Sequence, residues 1–292
     1  MQSVRLLLSL MEKALHIIRL EGLKYFQKDK YQRIYWGPEF CQNIIPTVEE
    51  TKGILLFIKE NDLKLSVVTP FVTEQGLRIL KNMFNWLKGQ KINNPEIIVN
   101  DWGVLECLNM EFNGIFEISL GRLLVRQQRD PTIKTILRKK LPFWTKNKAG
   151  DIAIFVSRRP CKEYQTGIKA SYINSSLSQD VLSKLGVKRV ELNNLIQGLN
   201  LEGIRFKKSL YTPYINISTT RFCPMETRYQ KIYRINVCKK ECRGYYDILR
   251  SRAVPKIIYK RGNTIFYKNS LNLSALKEYD VDRVVFQPEL PF

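Results

Sequence analysis

Histidine is almost missing from this chain of 292 residues, which has one, His16. That excludes chemistry needing several imidazoles: a two-histidine zinc hydrolase, a histidine-rich iron centre, or a zinc finger of two cysteines and two histidines. A Ser-His-Asp triad would have to take His16 as its base. His16 reads instead as an ordinary residue of an N-terminal helix with Leu10, Ala14, Ile17 and Ile18. Long apolar runs are missing too. None reaches the ~18 residues of a membrane span, and Leu6-Leu7-Leu8 is soon followed by Glu12 and Lys13. A secretory leader would need a basic start, a longer apolar stretch and a small-residue cleavage site. The expectation is a cytoplasmic protein with no membrane span.

Acidic side chains are scarce: 27 Asp and Glu stand against 48 Lys and Arg, a net charge of +21. The excess is concentrated. Residues 122–148 carry nine basic side chains and one acidic, and residues 204–261 carry fifteen and three. Focused positive potential attracts polyanions, so these segments are candidate RNA contacts. A solvated face of a lysine-rich protein has the same composition. Within the second segment Tyr211, Tyr214, Arg221, Phe222, Arg228, Tyr229, Lys231, Tyr233 and Arg234 interleave rings with cations. Single-stranded RNA favours such platforms, and a strand with buried rings and a basic outer face would look alike.

The hydrophobic content of 44% supports a packed core. Helix and strand alternate along the chain. Thr47 and Glu50, after Pro46, have capping-box spacing, and Ile54, Leu55 and Ile58 form one apolar face. A strand from Leu63 to Val68, a helix carrying Leu77, Leu80, Phe84 and Leu87, and a strand from Glu96 to Asn100 follow. Later, Ser178 is placed to cap a helix with Val181, Leu182 and Leu185; Gly186 follows, then a strand from Lys188 to Leu192. The short apolar runs 97–99, 152–156 and 214–217 read as parallel strands buried on both faces. The whole predicts one α/β domain over residues 1–292, a TIM-barrel-like fold, complete or decorated, of parallel strands and crossover helices. Residues 130–150 read as a surface excursion. Residues 256–292 read as a hairpin turning at Gly262-Asn263 and a final strand.

Cysteine is the informative residue. Six are present, and a cytosolic chain keeps them reduced. Cys238 and Cys242 are separated by three residues, so one helical turn would aim both at one metal. Cys223 precedes Pro224, and Cys41 follows Tyr35-Trp36-Gly37 at the end of an early strand. Arg221, Lys239, Lys240 and Arg243 supply positive charge that favours thiolates. Four thiolates suit tetrahedral zinc or an iron–sulfur cluster, and spacing alone leaves both open. Cys107 and Cys161 have no such company and read as incidental.

These motifs resemble the collagenase-like peptidases of family U-thirty-two, within them the short bacterial branch that includes UbiU and UbiV of oxygen-independent ubiquinone synthesis. The branch's early Tyr-x-Gly-x-x-x-Cys is matched by Tyr35, Gly37 and Cys41. Its later Cys and Cys-x-x-x-Cys are matched by Cys223, Cys238 and Cys242, and its strand ending in Asp-x-Gly by Asp101 and Gly103. The resemblance implies a barrel holding one four-iron, four-sulfur cluster on the four cysteines. It also implies a role in dioxygen-independent hydroxylation of a quinone precursor or an RNA base, as the enzyme or as one subunit beside a heteromeric partner of the same family. Residues 116–150 do not follow the branch's pattern.

Two further residues are candidates for contact with substrate. Asp101 follows a strand, where barrel chemistry is placed; it could take a proton or simply cap a helix. Arg221 could bind a carboxylate or support cluster sulfurs. Asn193 and Asn194 could bind a ligand or start a turn, and Glu39 reads as solvated or salt-bridged. The rival readings are a basic RNA-binding barrel with structural zinc, and a peptidase.

Overall fold

The alternation of helix and strand closes on itself. A computed structural model of the chain describes residues 11–138, 141–146, 150, 153–226, 237–271, 276 and 279–292. In chain order its strands begin with β1 (Glu12–Ile17), β2 (Arg33–Trp36), β3 (Lys64–Val68), β4 (Glu96–Val99), β5 (Glu117–Leu120), β6 (Leu141–Lys146) and β7 (Ala153–Arg158). They continue with β8 (Val187–Asn193), β9 (Lys207–Thr212), β10 (Tyr214–Thr219), β11 (Asp247–Ser251), β12 (Val254–Arg261), β13 (Thr264–Lys268) and β14 (Arg283–Phe286). Among the described residues a closed barrel runs β1-β14-β9-β8-β5-β4-β3-β2, and its neighbours all pair in parallel. The expected α/β barrel is the observed fold.

Crossover helices cover it: α1 (Val48–Glu60), α2 (Glu74–Lys88), α3 (Trp102–Glu111) and, before β8, α7 (Ser176–Lys184). Short helices α4 (Arg122–Val125), α5 (Ile133–Arg138) and α6 (Lys162–Gly167) lie between. The capping box at Thr47 and Glu50 starts α1, whose Ile54, Leu55 and Ile58 are buried. Strand residues divide by parity. Leu15, Ile34, Trp36, Leu65, Val67, Ile97 and Val99 join the layer under the helices; Ala14, Tyr35, Val68, Ile98, Tyr211 and Val285 form a separate cluster. The Trp36 Nε1–H donates to Thr51 Oγ1 of α1 at 3.1 Å.

Toward the strands' N-terminal ends the barrel is ionic. Arg283 donates to Glu12, Glu96 and the Tyr35 hydroxyl, and Arg33 donates to Glu12 and Ser66. Glu191 is fully buried and accepts from Ser119 at 2.6 Å. Burial, with Glu96 nearby, raises its pKa to about 7. Glu12 moves oppositely: burial alone would raise it, but Arg283 and Arg33 hold it at about 2.

Four expectations are corrected. His16 lies in strand β1, not in a helix; its neighbours are β-compatible and it reaches the barrel's interior. Residues 153–158 pair antiparallel with β6 in a two-stranded ribbon outside the barrel. An apolar run of that length fits a hairpin as well as a parallel core strand. Residues 214–219 belong to a second, antiparallel sheet of order β10-β13-β12-β11. Helix α7 begins at Ser176, so Ser178 lies inside its first turn; a 3-10 helix over Tyr172–Asn174 brings the chain into helix earlier.

The second sheet is inserted between barrel strands β9 and β14. It lies beside the loops at the C-terminal ends of the strands, where Tyr214 and Phe266 pack with Phe40, Ile44, Leu290 and Phe292. Among the described residues no helix is long and apolar enough to cross a membrane.

Candidate metal centre and cleft

The loop after β2 carries Cys41 and depends on Gly37, whose φ is +116° and whose added Cβ would stand 2.5 Å from the Val68 carbonyl oxygen. Only glycine suits that backbone. Cys41 lies just before a 3-10 helix (Gln42–Ile44) and its thiol accepts the Asn43 N–H. Cys223 follows β10 and accepts the Met225 and Glu226 N–H groups. Cys238 accepts the Lys240 N–H at 3.4 Å. Cys242 is buried in a 3-10 helix (Glu241–Arg243). Cys238 lies outside that helix, and Lys240 between the two cysteines has φ +61°. The pair therefore does not share a helical turn, contrary to the spacing argument; a left-handed residue turns the chain there instead.

The four thiols lie near enough to influence one another electrostatically. Burial pushes the Cys41 thiol up to about 12, and the thiols of Cys242, Cys238 and Cys223 push it the same way. Cys242 rises to about 11 by burial and by Cys223 and Cys238, and burial also raises Cys223. Burial thus outweighs the basic neighbours expected to favour thiolates at Cys41, Cys223 and Cys242. All six cysteines are free. Among the described residues no group of three or more His, Cys, Asp or Glu side chains is arranged to hold a metal ion. Cys107 is buried elsewhere, and Cys161 is exposed, accepting the Tyr164 N–H at the start of α6.

The turn between β12 and β13 fastens this arrangement. Asn263 Nδ2 donates to Phe40 O at 2.8 Å and to Thr220 O at 2.6 Å, joining the residue before Cys41 to the segment before Cys223. Arg261 donates to Cys242 O at 2.7 Å, to Arg243 O at 3.2 Å and to Leu290 O at 3.1 Å. Two side chains flanking Gly262 thus tie three cysteine segments to one hairpin.

Beneath the second sheet the barrel mouth is closed by a buried ion pair. Arg122 and Glu39 are both fully buried and paired through two nitrogens and two oxygens. Arg122 Nη1 also donates to Asn193 Oδ1 at 3.0 Å and Tyr214 O at 2.9 Å, and the guanidinium lies 4.0 Å from the Tyr211 ring centroid. His16 Nε2 meets Gly37 O at 2.9 Å, and burial lowers its pKa. Gly121 precedes Arg122 where a Cβ would fall 2.2 Å from Asn100 Oδ1.

A cleft of roughly 520 Å³ opens beside this plug, with Asp101, Trp102 and Phe71 on the barrel side, Arg126 and Arg129 after α4, and Ser218, Thr219 and Arg221 on the second sheet. Both residues singled out for substrate contact line it. Asp101 is already engaged, accepting from Gly103 N at 2.7 Å, Val104 N at 3.3 Å and Val72 N at 3.3 Å. The Arg221 guanidinium stands 5.5 Å from the Phe71 ring centroid. Arg129 has its Nη1 buried without a partner. Burial and the Arg122 charge lower its pKa to about 10, so it stays cationic at neutral pH. Among the described residues Asp101 is the one carboxylate on these walls, so the cleft carries excess positive charge.

No family model matches the chain. No curated protein matches it significantly. Among solved structures, the U32 peptidase Mk0906 aligns over 96% of this chain and 93% of its own, at 10% identity and a TM-score of 0.46. A family 18 N-acetylglucosaminidase from Paenibacillus barengoltzii aligns over 94% of each chain at 9% identity and a TM-score of 0.33. A chitinase from Trichuris suis aligns over 94% of this chain and 91% of its own, at 9% identity and a TM-score of 0.32. Identities and TM-scores this low assign the chain to no family.

Asn193 and Asn194 are structural: Asn194 Nδ2 donates to Asn269 O and Ser270 O at 3.2 Å. Glu39, read as solvated or salt-bridged, is a buried ion-pair member. Arg122, Arg261 and Asn263 were not singled out from sequence; for the last two the turn at Gly262 was the available signal. Arg228, Tyr229, Lys231, Tyr233 and Arg234 of the ring-and-cation run lie outside the described residues.

Proposed function

We propose that the chain is an iron–sulfur protein in which Cys41, Cys223, Cys238 and Cys242 ligate one four-iron, four-sulfur cluster, and that a small anionic substrate occupies the adjoining cleft. The observation that carries this reading is the convergence of four free thiols from separate segments, at least three of which accept backbone N–H groups. Such hydrogen bonds tune cluster ligands. The donor set fits the group. Four thiolates are the usual ligand set of such a cluster.

The cluster, held by Cys41, Cys223, Cys238 and Cys242, would supply one-electron or Lewis-acid chemistry. This chain's residues supply the rest. Arg126, Arg129 and Arg221 neutralise and orient an anion, Phe71 and Trp102 offer ring surfaces, and Asp101 holds the α3 terminus against the loop at Val72. The motif resemblance to the U-thirty-two peptidases motivates the reaction we assign, dioxygen-independent hydroxylation, by this chain alone or with a second subunit. The concentrated positive charge motivates the rival, an RNA-binding barrel with structural zinc.

Purification without oxygen decides. The cluster reading expects a brown protein with about four iron per chain and a broad charge-transfer absorption. A colourless protein holding one zinc after reconstitution with iron and sulfide would refute it. Loss of iron on changing Cys107 or Cys161, with retention on changing Cys41, would refute the ligand set.

A further inference from the structure

The second sheet exposes an apolar face that the barrel does not use. Strand β11 is an edge strand, and among the described residues nothing pairs with its outer side. On the face shared by Tyr259, Ile248 is 50% exposed and Ile257 41%, beside Tyr246 at 49%. Large aliphatic side chains on an open strand edge are a liability unless something covers them. The surroundings are strongly basic: residues 237–261 hold eight basic and two acidic side chains, a net of +6. An apolar centre with a rim of one sign describes a docking site for a protein of the opposite sign.

The patch is continuous with the thiols. Tyr259, like Cys41, packs against the buried apolar group that contains Cys242. The Tyr246 ring lies 6.3 Å from the Tyr259 ring. Packed side chains therefore run from the thiol site to the exposed patch. Single-stranded RNA would favour the rings; Ile248 and Ile257 give it nothing to stack on, and they favour a protein.

We propose that this face docks a small acidic electron-carrier protein that delivers electrons to the thiolate-bound centre. The inference rests on the iron–sulfur reading above. One electron leaves the reduced carrier and reduces the oxidised cluster by one; the carrier is oxidised, and no proton or bond is exchanged. Interfaces of this type are small, with a polar rim and strong salt dependence.

The test uses the full chain, reconstituted without oxygen, with a dithionite-reduced acidic [2Fe–2S] ferredoxin freed of dithionite as probe. Stopped-flow absorption follows the ferredoxin's oxidation at low and high salt. The pair Arg250→Glu and Lys256→Glu, and separately Ile248→Glu with Ile257→Glu, should each slow it at least about tenfold, with iron content and thermal midpoint unchanged. A rate indifferent to both salt and these changes overturns the proposal. So does loss of single-stranded RNA binding in the variants with ferredoxin oxidation intact. Binding of oxidised ferredoxin to the iron-free chain separates the two ideas. A chain that takes up no iron but binds ferredoxin, and loses it on charge reversal, retains the surface and loses the cluster. A chain that holds iron and shows no ferredoxin binding retains the cluster and loses the surface.

Discussion

Replacing Arg122 with Met tests whether the barrel mouth and the cysteine-bearing sheet are one mechanical unit. Arg122 and Glu39 are each 0% exposed. The change deletes the paired bonds to Glu39 and the bonds to Asn193 Oδ1 at 3.0 Å and Tyr214 O at 2.9 Å. Glu39 is then a charge without its countercharge, in a space closed to water. Removing one partner of a buried ion pair costs about 3–5 kcal/mol. With urea slopes near the upper end for single domains, the midpoint should fall by roughly 1 M or more. The double variant Arg122→Met with Glu39→Gln should recover part of that loss, since the stranded charge is gone. Because Tyr214 is in β10, the single variant should also speed alkylation of the buried Cys242 thiol. Urea unfolding followed by tryptophan fluorescence, with timed iodoacetamide labelling, measures both. A midpoint within error of the parent, or a double variant no better than the single, would refute the reasoning.

Glu191→Gln should flatten the stability profile between pH 4.5 and about 7. The folded carboxyl holds its proton above the ordinary carboxylate range, so its contribution to parent stability falls as pH rises through that window, by roughly 3 kcal/mol in all. His16, whose pKa is lowered, adds stability with rising pH in the same range, so thermal midpoints across pH are read as the difference between variant and parent; a difference that does not change between pH 4.5 and about 7 would contradict it. Glu12 works in the opposite sense: its pKa of about 2 means stability is present above 4.5 and is lost as pH falls toward 2. Glu12→Gln should remove that loss in acid unfolding. Gly37→Ala meets the Val68 carbonyl at 2.5 Å and a left-handed backbone; it should cost on the order of 2 kcal/mol, read as a lower urea midpoint, and should speed alkylation of the Cys41 thiol. A midpoint and a labelling rate equal to the parent's would show that the loop tolerates the shift.

What was legible in the sequence was local or periodic. The Thr47–Glu50 box, the apolar faces of α1 and α2 and the strands at 64–68 and 96–99 follow from spacing between neighbours in the chain. They suffice for an α/β barrel. The cysteines stood out in the sequence because they are few and four of them match a motif. What was hidden depends on partners far apart. Arg122 and Glu39 meet across 83 residues, and Glu12 meets Arg283 across 271. A lone charge in a short strand says nothing of which countercharge it will find. The two misread strands, 153–158 and 214–219, are as apolar as barrel strands; Pro213 after β9 is the one local sign that the chain leaves the barrel there. His16 was misread because a six-residue strand offers too few positions to separate the two periods.

The barrel's last stave is written after the lobe. Residues 214–268 stand in the chain between β9 and β14, while β14 itself pairs with both β9 and β1, so the seam that seals the cylinder joins strands written on either side of the inserted sheet. Both ends of that sheet are thus tethered to the staves beside the closure. A lesion in the sheet that pulls on either tether should surface at the seam, as fraying of the first strand.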